Sequence, residues 1–270
     1  MILDALTVWS SLWIPLVAGH FIGDFMLQTD EIVNRKGELR ITALHAGVVA
    51  TVSWLLTGHW SSAWWMIPLL LVTHAAVDLT KIRLNGILKC RSGCTGDYLD
   101  RNGALILFIA DQAVHLLVLV GVVLAIDVTP TLQTSVAGPG SWIESFGPGY
   151  LEFLVLVIGW ILATSASGYT LALALSRFEA ELSDRQKDGL RWGGYWIGIT
   201  ERSLIYLFIL LGEPSGIGFL AAAKSVFRIG EIKEAEDRKL AEYILIGTLM
   251  SFATAMLVGI ATRQALRILP

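Results

Sequence analysis

Three short segments of the chain carry an imidazole and a carboxylate one helical turn apart: HFIGD (His20, Asp24), HAAVD (His74, Asp78) and DQAVH (Asp111, His115). A fourth histidine, His45, stands in TALHAG. On a helix, positions four apart share a face with β-carbons about 5–6 Å from each other, so each pair offers one nitrogen and one oxygen to a common point. Neutral imidazole with carboxylate is the ligand chemistry of zinc, manganese or iron(II), whereas Mg²⁺ and Ca²⁺ favour all-oxygen shells. A divalent metal is therefore expected, zinc first, with manganese or iron as alternatives. The seven candidates His20, Asp24, His45, His74, Asp78, Asp111 and His115 exceed what one tetrahedral ion takes. Either two ions lie side by side, or one ion uses three or four groups and the rest orient ligands and move protons. In the one-ion arrangement His20, His74 and His115 lead, with Asp78 or Asp24, and a remaining aspartate, Asp24 or Asp111, is the general base.

The elements that must hold these residues are membrane-spanning helices. Of 270 residues, 54% are hydrophobic and 16% charged, and the mean hydropathy is +0.64. Apolar runs near the ~20 residues that cross a bilayer recur along the chain, more than a soluble core can bury. The expected fold is all-α, a polytopic helix bundle with spans near residues 5–27, 42–57, 62–81, 104–126, 151–176, 195–212 and 240–262, and with 215–229 as a short further candidate. That makes seven or eight spans. MILDALTVWSSLWIP has no basic n-region and no small-residue cleavage site, so it reads as a retained first helix. The external loop 128–150, rich in Gly and Pro, divides a four-helix domain at 1–127 from a C-terminal membrane domain of three to four helices at 151–270.

Charge then orients the bundle. Seventeen of the twenty Lys and Arg fall on one side of the alternating spans, in the groups Arg35–Arg40, Lys81–Arg101, Arg177–Arg191 and Lys224–Lys239. The loops TGHWSS, DVTPTLQTSVAGPGSWIESFGPG and GEPS carry none. The positive-inside rule places these loops and both termini outside. Arg263 and Arg267 break the pattern and leave a seven-span version in which SGIGFLAAAKSVFRI lies in the interface. Cys90 and Cys94, in KCRSGCTG, then sit in a cytoplasmic loop where thiols stay reduced, and read as plain loop residues rather than a metal or redox pair.

With this topology His20, Asp24, His74 and Asp78 come late on inward helices, while His45, Asp111 and His115 come early on outward ones. All seven fall in the cytoplasmic half of the membrane. An ionisable group in a span costs about 2.5–3.5 kcal/mol on insertion scales. An interhelical hydrogen bond repays about 0.6 kcal/mol on average. A cluster of clamps is thus poor value, and a functional site is the better expectation. Gln28 and Gln112 lie beside the stripe, to orient ligands or bind substrate, and His59, in TGHWSS, is expected to be exposed. In the second half Glu201, Arg202, Lys224, Arg228, Glu242 and Tyr243 also collect at the cytoplasmic side. They read first as structural ion pairs, with Lys224 and Arg228, and Lys81 in the first half, as the alternative cations for a phosphate or lipid headgroup.

The set HFIGDFMLQTD, LHAGV, THAAVDLTKIR and LFIADQAVHLL resembles DUF3307, an uncharacterised bacterial family of multi-pass inner-membrane proteins, over residues 14 to about 126. GITERSLIYLFILLG, GFLAAAKSVFRIGE and AEYILIGTLMSF resemble the extension often fused to it. The resemblance implies a bacterial inner membrane and carries no established activity. More loosely, the layout is similar to that of membrane-bound proteins assigned as metal-dependent hydrolases, and the paired HxxxD to zinc sites of cation diffusion facilitators; both likenesses concern sites alone.

A hydrolase needs a metal with an open position, a proton acceptor and substrate access. A transporter needs access from both faces, and the outer halves LTVWSSLWIPLV, WWMIPLLLV and LVLVGVVLAI offer almost no polar lining. The expectation is a metal-dependent hydrolase facing the cytoplasm, in which a metal-activated water attacks an ester, phosphoester or amide of a lipid or membrane-proximal substrate. A divalent-metal transporter, or a non-catalytic scaffold or sensor, is the alternative. The bilayer and a lipid or small molecule are the expected partners, with no nucleic acid.

Overall fold

The structure is a computed structural model that describes residues 2–92, 98–136, 142–180, 182, 192–228 and 235–269. Cys94 and the side chains of Cys90 and Arg228 lie outside the described residues. Among the described residues every regular element is helical. Five helices or helix pairs, Leu39–Thr57, Gly103–Val128, Gly149–Glu179, Gly193–Leu211 and Arg238–Ile268, are long and apolar enough to cross a membrane. The protein is an all-α membrane protein, and the chain divides into two compact units, Met1–Ile158 with Ile268–Pro270, and Gly159–Arg267.

The first unit is built on α1 (Ile2–Phe25), α3 (Leu39–Thr57), α4 (Met66–Ser92) and α5 (Tyr98–Val128), with short helices α2 (Asp30–Arg35), α6 (Pro130–Val136) and α7 (Trp142–Phe146) in the connections. Each long helix packs on the next, and α1 also meets α5, so the four close into a ring. Small residues set the tightest approach. A β-carbon on Gly19 would lie 2.3 Å from the Ser53 Cα, and one on Gly23 would lie 2.5 Å from a Val49 methyl. Gly19 and Gly23 thus form the small-x-x-x-small seam along which membrane helices approach backbone to backbone. His20 and Asp24 lie next to these glycines, so the seam sets how deeply they reach toward α3.

Between α1 and α3 the chain makes a fixed turn rather than an open loop. The Thr29 hydroxyl caps α2 by accepting from the Ile32 amide (3.4 Å), and the Thr42 hydroxyl donates to the Lys36 carbonyl (2.6 Å). Arg35 donates to both Glu38 oxygens at 2.9 Å and to Glu31 at 3.2 Å. This fork holds the Glu38 carboxyl below its ordinary range. Its small contribution is present above the ordinary carboxylate range and is lost as pH falls through the lowered value. The turn delivers Lys36 to the bundle interior.

At the other end of the ring, α3 stops at Gly58, whose left-handed φ of 80° closes the helix. The carbonyls a helix C-terminus leaves free are taken by aromatic donors: Trp60 Nε1 (3.2 Å) and Trp142 Nε1 (2.9 Å) donate to Leu55, and the Tyr150 hydroxyl donates to Leu56 (2.6 Å). His59, next to this cap, is buried, 5% exposed, which corrects the expectation of an exposed loop residue. The chain after α3 folds back on it, with the Ala63 amide donating to the His59 carbonyl. Burial lowers the His59 pKa.

The second unit contains α10 (Gly193–Leu211), α11 (Pro214–Arg228), α12 (Ala235–Ile268) and most of the helix pair α8 (Gly149–Ile161) and α9 (Ser167–Glu179), which a π-turn at Leu162–Ala166 joins. Arg202 is buried against this turn. Its Nη2 donates to the Thr164 carbonyl (3.0 Å) and its Nη1 to the Ser251 hydroxyl (3.3 Å). Gly168 and Gly198 make room for the guanidinium, since a β-carbon on either would come within 2.7–2.8 Å of it. Arg202 therefore adds a charged donor to a carbonyl at the π-turn that also accepts from the Ser167 amide and hydroxyl.

Candidate metal centre

All seven His and Asp residues singled out by spacing meet inside the first unit. Their residue exposures run from 1% at His20, His45 and Asp78 to 9% at Asp24. α1 supplies His20 and Asp24, α3 supplies His45, α4 supplies His74 and Asp78, and α5 supplies Asp111 and His115. Overlapping groups of these residues hold donor atoms close enough together to bind a metal ion: His20, Asp24 and His74; His45, His74 and Asp78; and Asp78, Asp111 and His115.

Three atoms stand closer than the rest. His45 Nε2 lies 3.2 Å from Asp24 Oδ1, His74 Nε2 lies 3.4 Å from the same oxygen, and the two nitrogens are 3.3 Å apart. With metal–ligand distances of about 2.0–2.1 Å, ligands of a tetrahedral ion are separated by about 1.63 times that length, or roughly 3.3–3.4 Å. The triangle has the size of one tetrahedral face. Protons satisfy it less well. Each neutral imidazole has one N–H, so if both rings point it at Asp24 the two N–H groups face each other across the third edge. Asp24 Oδ1 in fact has no hydrogen-bond partner among the described residues.

The other four residues form a second layer. Asp78 Oδ2 lies 3.8 Å from His45 Nε2 and 3.7 Å from His74 Nε2. His20 Nε2 is 4.0 Å from Asp24 Oδ2, and its ring stacks on His115 at a centroid distance of 5.0 Å. His115 Nδ1 is 3.0 Å from the Asp111 backbone carbonyl. A carbonyl only accepts, so Nδ1 carries the proton and Nε2 presents a lone pair, the tautomer a metal-binding histidine needs. The Nε2 atoms of His20 and His115 are buried without hydrogen-bond partners among the described residues. A cavity of about 20 Å³, lined by His20, His74, His115, Ser53 and Thr73 among others, adjoins them. It is large enough for a single water.

Two lysines divide the carboxylates. Lys36 Nζ lies 3.0 Å from Asp78 Oδ2, and Lys81 Nζ donates to Asp111 Oδ2 at 2.7 Å. Asp24 alone has no ammonium against it among the described residues, and is held instead by Gln112, whose Nε2 donates to its Oδ2 (3.2 Å) and to Asp111 Oδ2 (3.4 Å). Gln28, with its amide turned to satisfy both neighbours, donates to the Asp24 carbonyl (3.1 Å) and accepts from Lys36 (2.7 Å). Both glutamines therefore orient the cluster. Reading by spacing alone missed the role of Lys36 and the Gly19/Gly23 seam; the small-x-x-x-small pattern in AGHFIG was the signal for the second. Lys36→Ala is expected to destabilise the metal-free protein by about 3 kcal/mol, because Asp78 then keeps a buried charge with no partner. Combining it with Asp78→Asn recovers most of the loss, as read by thermal unfolding of the stripped proteins.

Of the remaining candidates, Lys81 reaches the cluster through Asp111. Lys224 belongs to the second unit, where it donates to Glu201 (2.6 Å) as an ion pair. Glu242 pairs with Arg238 at 3.0 Å on the surface.

A helical membrane bundle with a buried His/Asp cluster is the class that fold and site define. Residues 12–138 match the family described as a protein of unknown function, DUF3307, and this part of the chain, cluster included, belongs to it. Neither a curated protein nor a solved structure gave a match.

Proposed function

We propose that the cluster is a divalent-metal centre, zinc by its donor set, of a hydrolase in a bacterial inner membrane that acts on a lipid or membrane-proximal substrate. The observation that carries this reading is the triangle of His45 Nε2, His74 Nε2 and Asp24 Oδ1, with edges of 3.2–3.4 Å. A bound ion supplies Lewis-acid activation of water and of the scissile carbonyl or phosphoryl group. Asp78 would supply a fourth ligand, an oxygen, or stay with Lys36 and leave a position for substrate. His20 and His115 line the neighbouring cavity. Asp111 is the general base: Lys81 and Gln112 occupy its Oδ2, while its Oδ1 is buried without a hydrogen-bond partner among the described residues and accepts the proton.

The orientation that follows from Lys and Arg puts the centre on the cytoplasmic side, with seven or eight spans and both termini outside. The lengths of α1 and α4, 24 and 27 residues, support counting them with the five apolar spans. Hydrolysis is preferred to transport because the outer halves LTVWSSLWIPLV, WWMIPLLLV and LVLVGVVLAI offer almost no polar lining.

Metal analysis of the detergent-purified protein is the test. Wild type is expected to retain about one equivalent of zinc, and a His45→Ala, His74→Ala variant of matching helicity and elution to retain none. Equal and negligible metal in both returns the cluster to interhelical clamps. Residue-dependent flux of zinc or manganese into sealed vesicles replaces hydrolysis by transport.

A further inference from the structure

Asp111 belongs to the buried cluster and also lines a groove of about 250 Å³ between α4 and α5. Lys81 lies in the facing, α4 wall, and apart from this pair and Thr80 the lining is apolar, from Ala76 and Val114 at one end to Leu84 at the other. Ala76 and Ala110 create the groove by being too small to fill the space between the helices. From Ala76 to Leu84 it follows α4 for roughly 12 Å. The α5 wall belongs to the apolar span Gly103–Val128, so the medium against it is lipid chain.

These features discriminate between ligands. A small polar solute would leave its hydrogen-bonding groups unmatched along most of the wall. An acyl chain would not, and the groove is long and narrow as a chain requires. The charged pair sits along this apolar track with unequal exposure, the Lys81 side chain at 30% and that of Asp111 at 3%. Lys81 can therefore turn outward to an anion while Asp111 stays with the cluster. A phosphate is the anion that an ammonium next to an acyl chain meets in a bilayer.

We propose that the groove between α4 and α5 seats an acyl chain of an anionic phospholipid with its phosphate on Lys81, so that the substrate class of the centre is a membrane phospholipid entering sideways from the bilayer. The substrate assignment rests on the reading of the cluster as a hydrolytic metal centre; the groove and its occupant do not. Taking Lys81 onto the phosphate also leaves Asp111 Oδ2 to Gln112 alone.

The test places the full-length protein in phosphatidylcholine vesicles doped with phosphatidylglycerol, or with phosphatidylcholine, carrying a diazirine in the acyl chain. Cross-links are mapped by mass spectrometry, and zinc is measured on the same samples. Peptides covering Ala76–Leu84 and Leu107–Val114 are expected to label above the exposed α12 positions Leu249 and Leu257. Phosphatidylglycerol should be preferred about fivefold, the factor one Lys contributes near an anionic surface. Ala110→Phe, which fills the groove, removes the excess with zinc unchanged. Lys81→Gln removes the preference between headgroups while the excess acyl-chain labelling over α12 persists. Labelling no greater than on α12 overturns the groove even if zinc is bound, and equal labelling by both lipids overturns the anionic headgroup. Excess labelling without zinc keeps the lipid site and removes the metal reading instead.

Discussion

Asp24→Asn is expected to abolish zinc retention and at the same time to stabilise the metal-free protein. The two effects have one cause. Asp24 is buried, and of the three cluster carboxylates it alone lacks a lysine, since Lys36 faces Asp78 and Lys81 faces Asp111. Without metal its charge is met by glutamine and neutral imidazole only. Replacing it by an amide of the same shape removes an incompletely paired buried charge, worth about 1–3 kcal/mol. With metal the sign reverses, because Asp24 closes the triangle with His45 and His74. Loss of an outer partner of a metal ligand typically costs 10–100-fold in affinity, and loss of a ligand itself is expected to cost at least 100-fold. Zinc at 100–1,000 times its dissociation constant stabilises the folded state by about 2.7–4.1 kcal/mol, so chelation should lower the wild-type melting temperature by roughly 5–15 °C. Asp24→Asn should melt above stripped wild type and show no response to chelator. Thermal unfolding of the four samples decides it. A variant less stable than wild type in both states, with no chelator effect in wild type, is the result that a hydrogen-bonded clamp predicts.

The parts of this site legible in the sequence are those that follow from helix period and alternating topology. His20/Asp24, His74/Asp78 and Asp111/His115 each share a face because they are four apart, and the reversal of α4 and α5 brings their levels together. What the period does not contain is rotation and reach. That His45 and His74 meet at 3.3 Å depends on how α3 and α4 turn about their axes, which packing decides. That Lys36 and Lys81 occupy Asp78 and Asp111 depends on long side chains bending inward, one of them from a connection that reads as a loop. His59 is buried, not exposed, because exposure follows how its turn folds back, with the Ala63 amide on the His59 carbonyl, and not its place between spans. The π-turn at Leu162–Ala166 has no signature in LATSA; Arg202, a cation deep in α10, is the side chain that answers it.

Gly19→Val is expected to disable the centre without touching any of its donor atoms. At Gly19 the backbones of α1 and α3 approach so closely that even a β-carbon would lie 2.3 Å from the Ser53 Cα and 2.6 Å from its amide nitrogen. The obstacle is backbone, so no side-chain rotation relieves it, and the helices must separate. Overpacking of this kind costs about 1–3 kcal/mol and more where backbone has to shift. The effect on the triangle is larger than the cost in stability. A displacement of about 1 Å at His20 and Asp24 opens the contacts of Asp24 Oδ1 with α3 and α4, now 3.2 and 3.4 Å, beyond what one ion can bridge with bonds of about 2.0–2.1 Å. Gly19→Val should therefore lose zinc while remaining helical and membrane-inserted, and Ser53→Gly in the same chain, which removes the opposing side chain but not the backbone, should restore little of it. Gly121→Val is the control: it lies on α5, where a β-carbon meets nothing within 4 Å, and it should bind zinc as wild type does. If Gly19→Val retains a full equivalent, the geometry of the centre does not depend on the α1–α3 seam, and the ion is not held between Asp24 of α1 and His45 of α3.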